Sequence, residues 1–158
     1  RGALRRQALT DPLTGLGNRT AFERRLGDAA GPVTIALLDL DDFKPVNDTH
    51  GHDTGDAVLR VVAERLRASV RDGDLAVRVG GDEFAIVFAP GTDRAGAALS
   101  AERVVRAVQA PIGLDGSLRV AVGVSYGLAT APAGEVAHLA DVALYEAKRT
   151  KPAQGALG

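Results

Sequence analysis

Apolar residues along the chain recur at two spacings, and the change from one to the other predicts the order of elements. Val33 to Leu40 is a near-continuous apolar run ending in the acids Asp39, Asp41 and Asp42, as a buried strand would. Leu75 to Val79 and Phe84 to Phe88 are short apolar runs separated by two glycines and two acids, which predicts a hairpin. Leu118 to Ala129 alternates and predicts a further strand. Elsewhere the spacing is helical. Asn18 is placed to cap a helix to about Asp28, with Phe22 and Leu26 on one face. A short helix from Phe43 to Asp48 comes after the first strand. Gly51 and Gly55 then punctuate the chain, and Ala57, Leu59, Val62 and Leu66 describe an amphipathic helix to about residue 70. Thr92 to Ala110 and Glu135 to Arg149 complete the helices. Hairpin pairing mixed with helical crossovers predicts an α+β sheet with helices packed on it.

The ends carry a different signal. Leu4, Ala8 and Leu9 stand at helical spacing among arginines, so residues 1–9 read as the end of an upstream signalling or linker helix, and a chain opening on Arg1 as a piece of something longer. Residues 10–151 form the expected domain, and 152–158 a flexible tail. At 158 residues and 46% hydrophobic content the chain fits one ordinary globular domain. Lys and Arg total 19 against 20 for Asp and Glu, which gives no general electrostatic reason to expect nucleic acid or an anionic membrane as partner. An anionic ligand must therefore be held locally. The absence of cysteine excludes disulfides and thiolate metal sites.

The chemistry gathers around RVGGDEF. Glycines suit a tight hairpin, but they leave Asp82 and Glu83 unexplained. Asp39 ends an apolar strand, and carboxylates converging from two strands suit Mg²⁺, a hard cation that takes oxygen ligands and keeps positions open for phosphate. Gly80 and Gly81, lacking Cβ, would let a nucleotide approach the backbone. The competing reading makes Asp41 or Asp42 a helix cap and Asp82 a solvated turn residue. His50 and His52 have an HGH spacing but no third zinc ligand nearby.

Residues 80 to 84, GGDEF, resemble the signature of the GGDEF family, the diguanylate cyclases. TDPLTGLGNRTAF, LLDLDDFKPVNDTHGHDTGDAVL and ADVALYEAKRTK resemble further motifs of that family in the right order, so the likeness spans residues 9 to 151. It implies a palm-like, mainly antiparallel sheet flanked by helices, acting as a homodimer whose two half-sites each present one GTP and together make cyclic di-GMP. Asp39, Asp82 and the main-chain carbonyl of Leu40 would then hold Mg²⁺, with Mn²⁺ as a substitute, and Asp82 or Glu83 would take the proton. Asp56 and Asn47 would read guanine, with His52 beside them, although Asp56 would equally cap a helix starting at Ala57. Main-chain N–H groups of Asp42, Phe43 and Lys44 would meet phosphates, as would Lys148. The family continues with Gly-Arg where this chain has Lys151 and Pro152, which replaces a bidentate fork by a point charge.

RDGD, residues 71 to 74, stands where the family carries its inhibitory product site. By that resemblance Arg71 and Asp74 would bind cyclic di-GMP, and Arg103 would make a secondary contact; the plainer alternative is a turn. The expected protein is a product-inhibited, cytoplasmic bacterial diguanylate cyclase without direct membrane contact, governed by an upstream sensor or dimerisation domain that would also carry any membrane attachment. The alternative is a catalytically weak regulatory module that binds GTP or cyclic di-GMP.

Overall fold

The computed structural model describes residues 8–151. Readings that concern residues 1–7 and the 152–158 tail, Pro152 included, lie outside the described residues. Eleven elements follow in order: α1 (Arg19–Gly27), β1 (Val33–Asp41), α2 (Phe43–His50), α3 (His52–Ser69), β2 (Leu75–Gly80), β3 (Glu83–Val87), α4 (Arg94–Gln109), β4 (Ile112–Gly113), β5 (Arg119–Val120), β6 (Gly123–Ala131) and α5 (Ala133–Thr150). Four strands form an antiparallel sheet in the order β2-β3-β1-β6, and β4 and β5 form a separate ribbon. This is the expected α+β sheet flanked by helices.

Strand alternation divides the core between the two faces. Ala36, Leu38 and Leu40 of β1 join Phe84 and Ile86 of β3 beneath α3 and α4. Ile35, with Ala85, Val87 and Val77, packs beneath α1 and α5, where Phe22, Leu26, Val136 and Ala140 are buried. Side chains in a strand alternate between faces, so Asp39 and Asp41 fall on the Ile35 face, towards α5. Gly127 makes that approach possible. A Cβ there would lie 2.2 Å from the Leu144 main-chain nitrogen and 2.4 Å from the Ala140 carbonyl oxygen, so α5 rests directly on β6.

Asn18 caps α1 as expected, its Oδ1 accepting the Ala21 N–H at 2.9 Å. Three expectations about these elements need correction. The long helix starts at His52, not Ala57, so Asp56 lies inside its second turn and is no cap. Gly55 is likewise no turn residue: a Cβ there would sit 1.7 Å from Asn47 Oδ1, so the glycine makes room for Asn47 between α2 and α3. The strand expected over Leu118–Ala129 is interrupted after Val120 and resumes at Gly123, and its first part pairs with Ile112–Gly113. A period of two persists through that break, which is why alternation alone did not reveal it.

Candidate active site at the strand ends

β1 and β3 run antiparallel with Asp39 directly opposite Glu83, which sets two like charges on one face. The turn between β2 and β3 is only Gly81 and Asp82, with Gly81 at φ +43°, a conformation that favours glycine. The Asp82 carbonyl accepts the Leu40 N–H at 3.2 Å and ties the turn to β1. Asp82 thus comes beside Asp39. Burial, then the Asp39 charge, pushes the Asp82 carboxyl up to about 6, against its own main-chain N–H and Lys148. Asp39 is 9% exposed, and its Oδ1 is buried without a hydrogen-bond partner among the described residues.

Helix α5 brings the cations. Lys148 lies in the last turn of α5 and Lys151 is the residue that caps its end, while Asp39 and Asp41, two apart, lie on the same face of β1. Lys148 Nζ donates to Asp39, and Lys151 Nζ to Asp41. Lys151 also reaches the Val124 carbonyl at 3.2 Å, and Ser125 Oγ donates to both Asp41 oxygens at 3.0 Å. Burial pulls the Lys148 ammonium down, but its bond to Asp39 and the charges of Asp39, Asp41 and Asp82 outweigh it and leave it raised.

The acids fit a hard divalent cation. No group of three acidic, His or Cys side chains among the described residues is arranged to hold a metal. Mg²⁺ does not need one, since it is bound by one or two carboxylates and completes its shell with water and phosphate. The orphaned Asp39 Oδ1, the Asp82 carboxyl that resists ionising and the ammonium resting on Asp39 each mark a place where positive charge is wanted.

The remaining expected residues fall into three groups. Asp42, at φ +60° and exposed, begins α2 without making a side-chain cap, so the cap expected of Asp42 is absent. The main-chain N–H groups of Asp42, Phe43 and Lys44 follow Asp41 directly, at a helix start where anions are favoured. Asn47 and Asp56 are half-buried and His52 is exposed at the first position of α3. Among the described residues nothing lies within 4 Å of where a Cβ would be on Gly80 or Gly81. Glu83 is exposed and lines a cavity of about 270 Å³ that also touches Arg19, His138 and Asp141.

Arg71–Asp74 forms the turn into β2. Asp74 Oδ2 accepts the Arg71 N–H at 2.9 Å and Oδ1 the Ala89 N–H at 2.8 Å. Arg71 is exposed, and Arg103 donates from Nε and Nη2 to the Ser69 carbonyl at 3.1 and 2.9 Å, just before Arg71 in the chain. The two arginines and Asp74 are therefore gathered at one end of α3.

Sequence reasoning left two contributors out of the site. Asp41 was named only as a possible cap, yet its place two residues from Asp39 puts both on one face. Arg78 donates to the Gly81 carbonyl at 2.9 Å and to Asp11 at 3.2 Å, so it holds the signature turn to the segment that opens the domain. Gly17 reinforces the link by donating to Ala76 and accepting from Arg78. The Asp11–Arg78 spacing of 67 residues carries no local signal.

An antiparallel sheet with helices on both faces thus carries opposed acids at two strand ends and lysines at the end of the covering helix. The GGDEF family model, described as "Diguanylate cyclase, GGDEF domain", matches residues 8–154. The chain belongs to that family. It is 38% identical over 159 residues to diguanylate cyclase TpbB of Pseudomonas aeruginosa, covering 93% of this chain and 37% of TpbB. The chain thus spans little over a third of that relative's length. The structure of TpbB comprising only its GGDEF domain superposes with a TM-score of 0.83 at 38% identity, covering 90% of each chain. The coiled coil and GGDEF domain of DgcB from Caulobacter crescentus, in complex with cyclic di-GMP, gives a TM-score of 0.83 at 36% identity, covering 94% of this chain and 84% of the other.

Proposed function

We propose that this chain is a Mg²⁺-dependent diguanylate cyclase domain that joins two GTP molecules into cyclic di-GMP, with two copies meeting as half-sites. The observation that carries the reading is the Asp39–Asp82 pair, whose orphaned oxygen and displaced proton affinity are both relieved by a bound cation. Asp39, Asp82 and the Leu40 carbonyl hold Mg²⁺, or Mn²⁺ in its place, which supplies Lewis-acid polarisation of the α-phosphate. Asp42, Phe43 and Lys44 offer main-chain N–H groups to the phosphates, and Lys148 exchanges Asp39 for a phosphate oxygen. Gly80 and Gly81 leave room for the nucleotide. Asp56 accepts from the two adjacent donors of the guanine edge, Asn47 adds a mixed donor and acceptor, and His52 borders them.

In each transfer the 3′-hydroxyl oxygen of one GTP forms a bond to the α-phosphorus of the other. The bond from that phosphorus to the bridging oxygen of diphosphate breaks, and diphosphate leaves. The hydroxyl proton passes to Asp82 or Glu83. A second transfer in the opposite sense closes the ring. Cyclic di-GMP then binds at Arg71, Asp74 and Arg103 and restrains further turnover; Asp74 enters this contact already oriented by its two main-chain bonds, with lone pairs to spare. Because GTP is the substrate, the domain works in the bacterial cytoplasm, and its activity is set by whatever brings two copies together.

Incubation with GTP and Mg²⁺, followed by chromatography, should yield cyclic di-GMP. Asp56→Ser should weaken GTP binding by about tenfold or more and narrow the preference over ATP. Binding of GTP and cyclic di-GMP without turnover, at protein concentrations that force dimers, would instead make the chain a regulatory module.

A further inference from the structure

Asp41 closes β1 on the same sheet face as Asp39, and Gly123, its register partner on β6, has no side chain to offer it. The carboxylate is met diagonally instead. Ser125 Oγ donates to both of its oxygens at 3.0 Å, and Lys151 Nζ donates to Oδ2 and, at 3.2 Å, to the Val124 carbonyl. Because Lys151 caps α5, this one carboxylate ties together the ends of β1, β6 and α5. It also fixes what comes next in the chain. Asp42 begins α2 at φ +60°, directly after Asp41, so the start of that helix is anchored at the same point.

The two lysines at the end of α5 are held differently. The Lys148 side chain is 42% exposed and among the described residues donates to Asp39 alone, whereas that of Lys151 is 30% exposed and donates to two oxygens on two strands. An exposed cation with one partner can exchange it for a phosphate oxygen. Withdrawing Lys151 would leave Asp41, whose side chain is 14% exposed, supported by a hydroxyl only, and removing one partner of a buried pair is costly. Lys148 is thus the cation free to move, and Lys151 the strut that fixes the turn carrying it. The Lys151 N–H closes that turn on the Lys148 carbonyl at 3.4 Å.

We propose that Asp41, oriented by Ser125 and acting through Lys151, is a positioning residue for the phosphate-binding groups: it holds the last turn of α5 and the start of α2 so that Lys148 and the N–H groups of Phe43 and Lys44 converge on one triphosphate. This role rests on the reading of the site as one for GTP. It predicts an effect opposite in sign to that of charge alone. Neutralising an acid beside a triphosphate should tighten binding if the acid acts only through its field. Asp41→Asn should instead loosen it, because an amide holds an ammonium less firmly than a carboxylate does. Calorimetric titration with a non-hydrolysable GTP analogue and Mg²⁺ would compare the parent, Asp41→Asn, Lys151→Met, the double variant and Lys151→Arg. Each of the first two changes should weaken binding by about fivefold or more, since contacts left unpositioned lose their effect. The double variant, which leaves no charge unpaired at this point, should bind no more weakly than the weaker single variant, because both changes break one link. Lys151→Arg, whose guanidinium can still bridge Asp41 and the Val124 carbonyl, should stay within about twofold of the parent. Without nucleotide, amide exchange at Arg149, Thr150 and Lys151 should quicken by about tenfold in Asp41→Asn. The proposal is overturned if Asp41→Asn binds the analogue as tightly as the parent or more so, if the two single effects add, or if exchange at the end of α5 is unchanged. A parent that binds no analogue would instead overturn the GTP reading itself.

Discussion

Arg71–Asp74 leads into β2 and Gly80–Glu83 leads out of it, and each sets acids beside a glycine of positive φ, Gly73 at +90° and Gly81 at +43°. In the first turn the key carboxylate is satisfied. Asp74 accepts one main-chain N–H on each oxygen, and the Gly73 carbonyl accepts from Arg25. In the second turn the carboxylate is opposed: Asp82 is half-buried beside Asp39, whose Oδ1 has no partner among the described residues. Nearly the same residue types therefore perform opposite work. Asp74 stabilises the native turn with its charge, whereas Asp82 holds a charge that folding disfavours. A carboxylate kept at a cost to stability is the kind that marks a site.

That contrast breaks most sharply under substitution. Asp82→Asn should reduce cyclic di-GMP formation by at least about a hundredfold, since it removes a cation ligand aimed at developing charge. Chromatography of the products measures it. The same variant should be more stable at pH 7 by about 1 kcal/mol once screening by water is allowed for. Asp74→Ala should act the other way, costing about 2 kcal/mol in urea unfolding because two N–H groups lose their acceptor. Asp74→Asn, which keeps an acceptor oxygen, should cost about half of that.

The pH dependence has a definite sign. The Asp82 carboxyl holds its proton more tightly folded than unfolded, so its contribution to stability is complete below the ordinary value of 3.8 and is lost as pH rises through about 6. Metal-free protein should therefore lose stability across that window, and Asp82→Asn should flatten the loss. Denaturant midpoints at half-unit pH steps would show it. The smallest expected effect on stability is that of Arg71→Ala. Its side chain is exposed, so unfolding should change by less than about 0.5 kcal/mol while inhibition by added cyclic di-GMP is relieved in progress curves.

The sequence made much of this legible because the informative residues are local. Gly80 to Glu83 specify a hairpin and a pair of acids at once, and Asn18, Phe22 and Leu26 define a helix through capping and period. What escaped depends on partners distant in sequence. Asp39 and Asp41 find Lys148 and Lys151 only because α5 folds back along β1, and Arg78 finds Asp11 across the edge of β2. Gly55 misled in another way. It reads as punctuation, yet its role is steric, and only the position of Asn47 reveals it. Asp74 escaped assignment for the opposite reason, since a turn residue and a ligand contact require the same side chain.

The most direct test of the central claim is Mn²⁺ binding followed by electron paramagnetic resonance in the presence of a non-hydrolysable GTP analogue. The parent, Asp82→Asn and Asp74→Asn proteins would be compared at one pH. Asp82→Asn should bind Mn²⁺ at least about tenfold more weakly, having lost one of two carboxylate ligands, while Asp74→Asn should bind it as the parent does. Equal weakening in both variants, or none in Asp82→Asn, would contradict the assignment of the opposed carboxylate to the cation and the satisfied one to the turn.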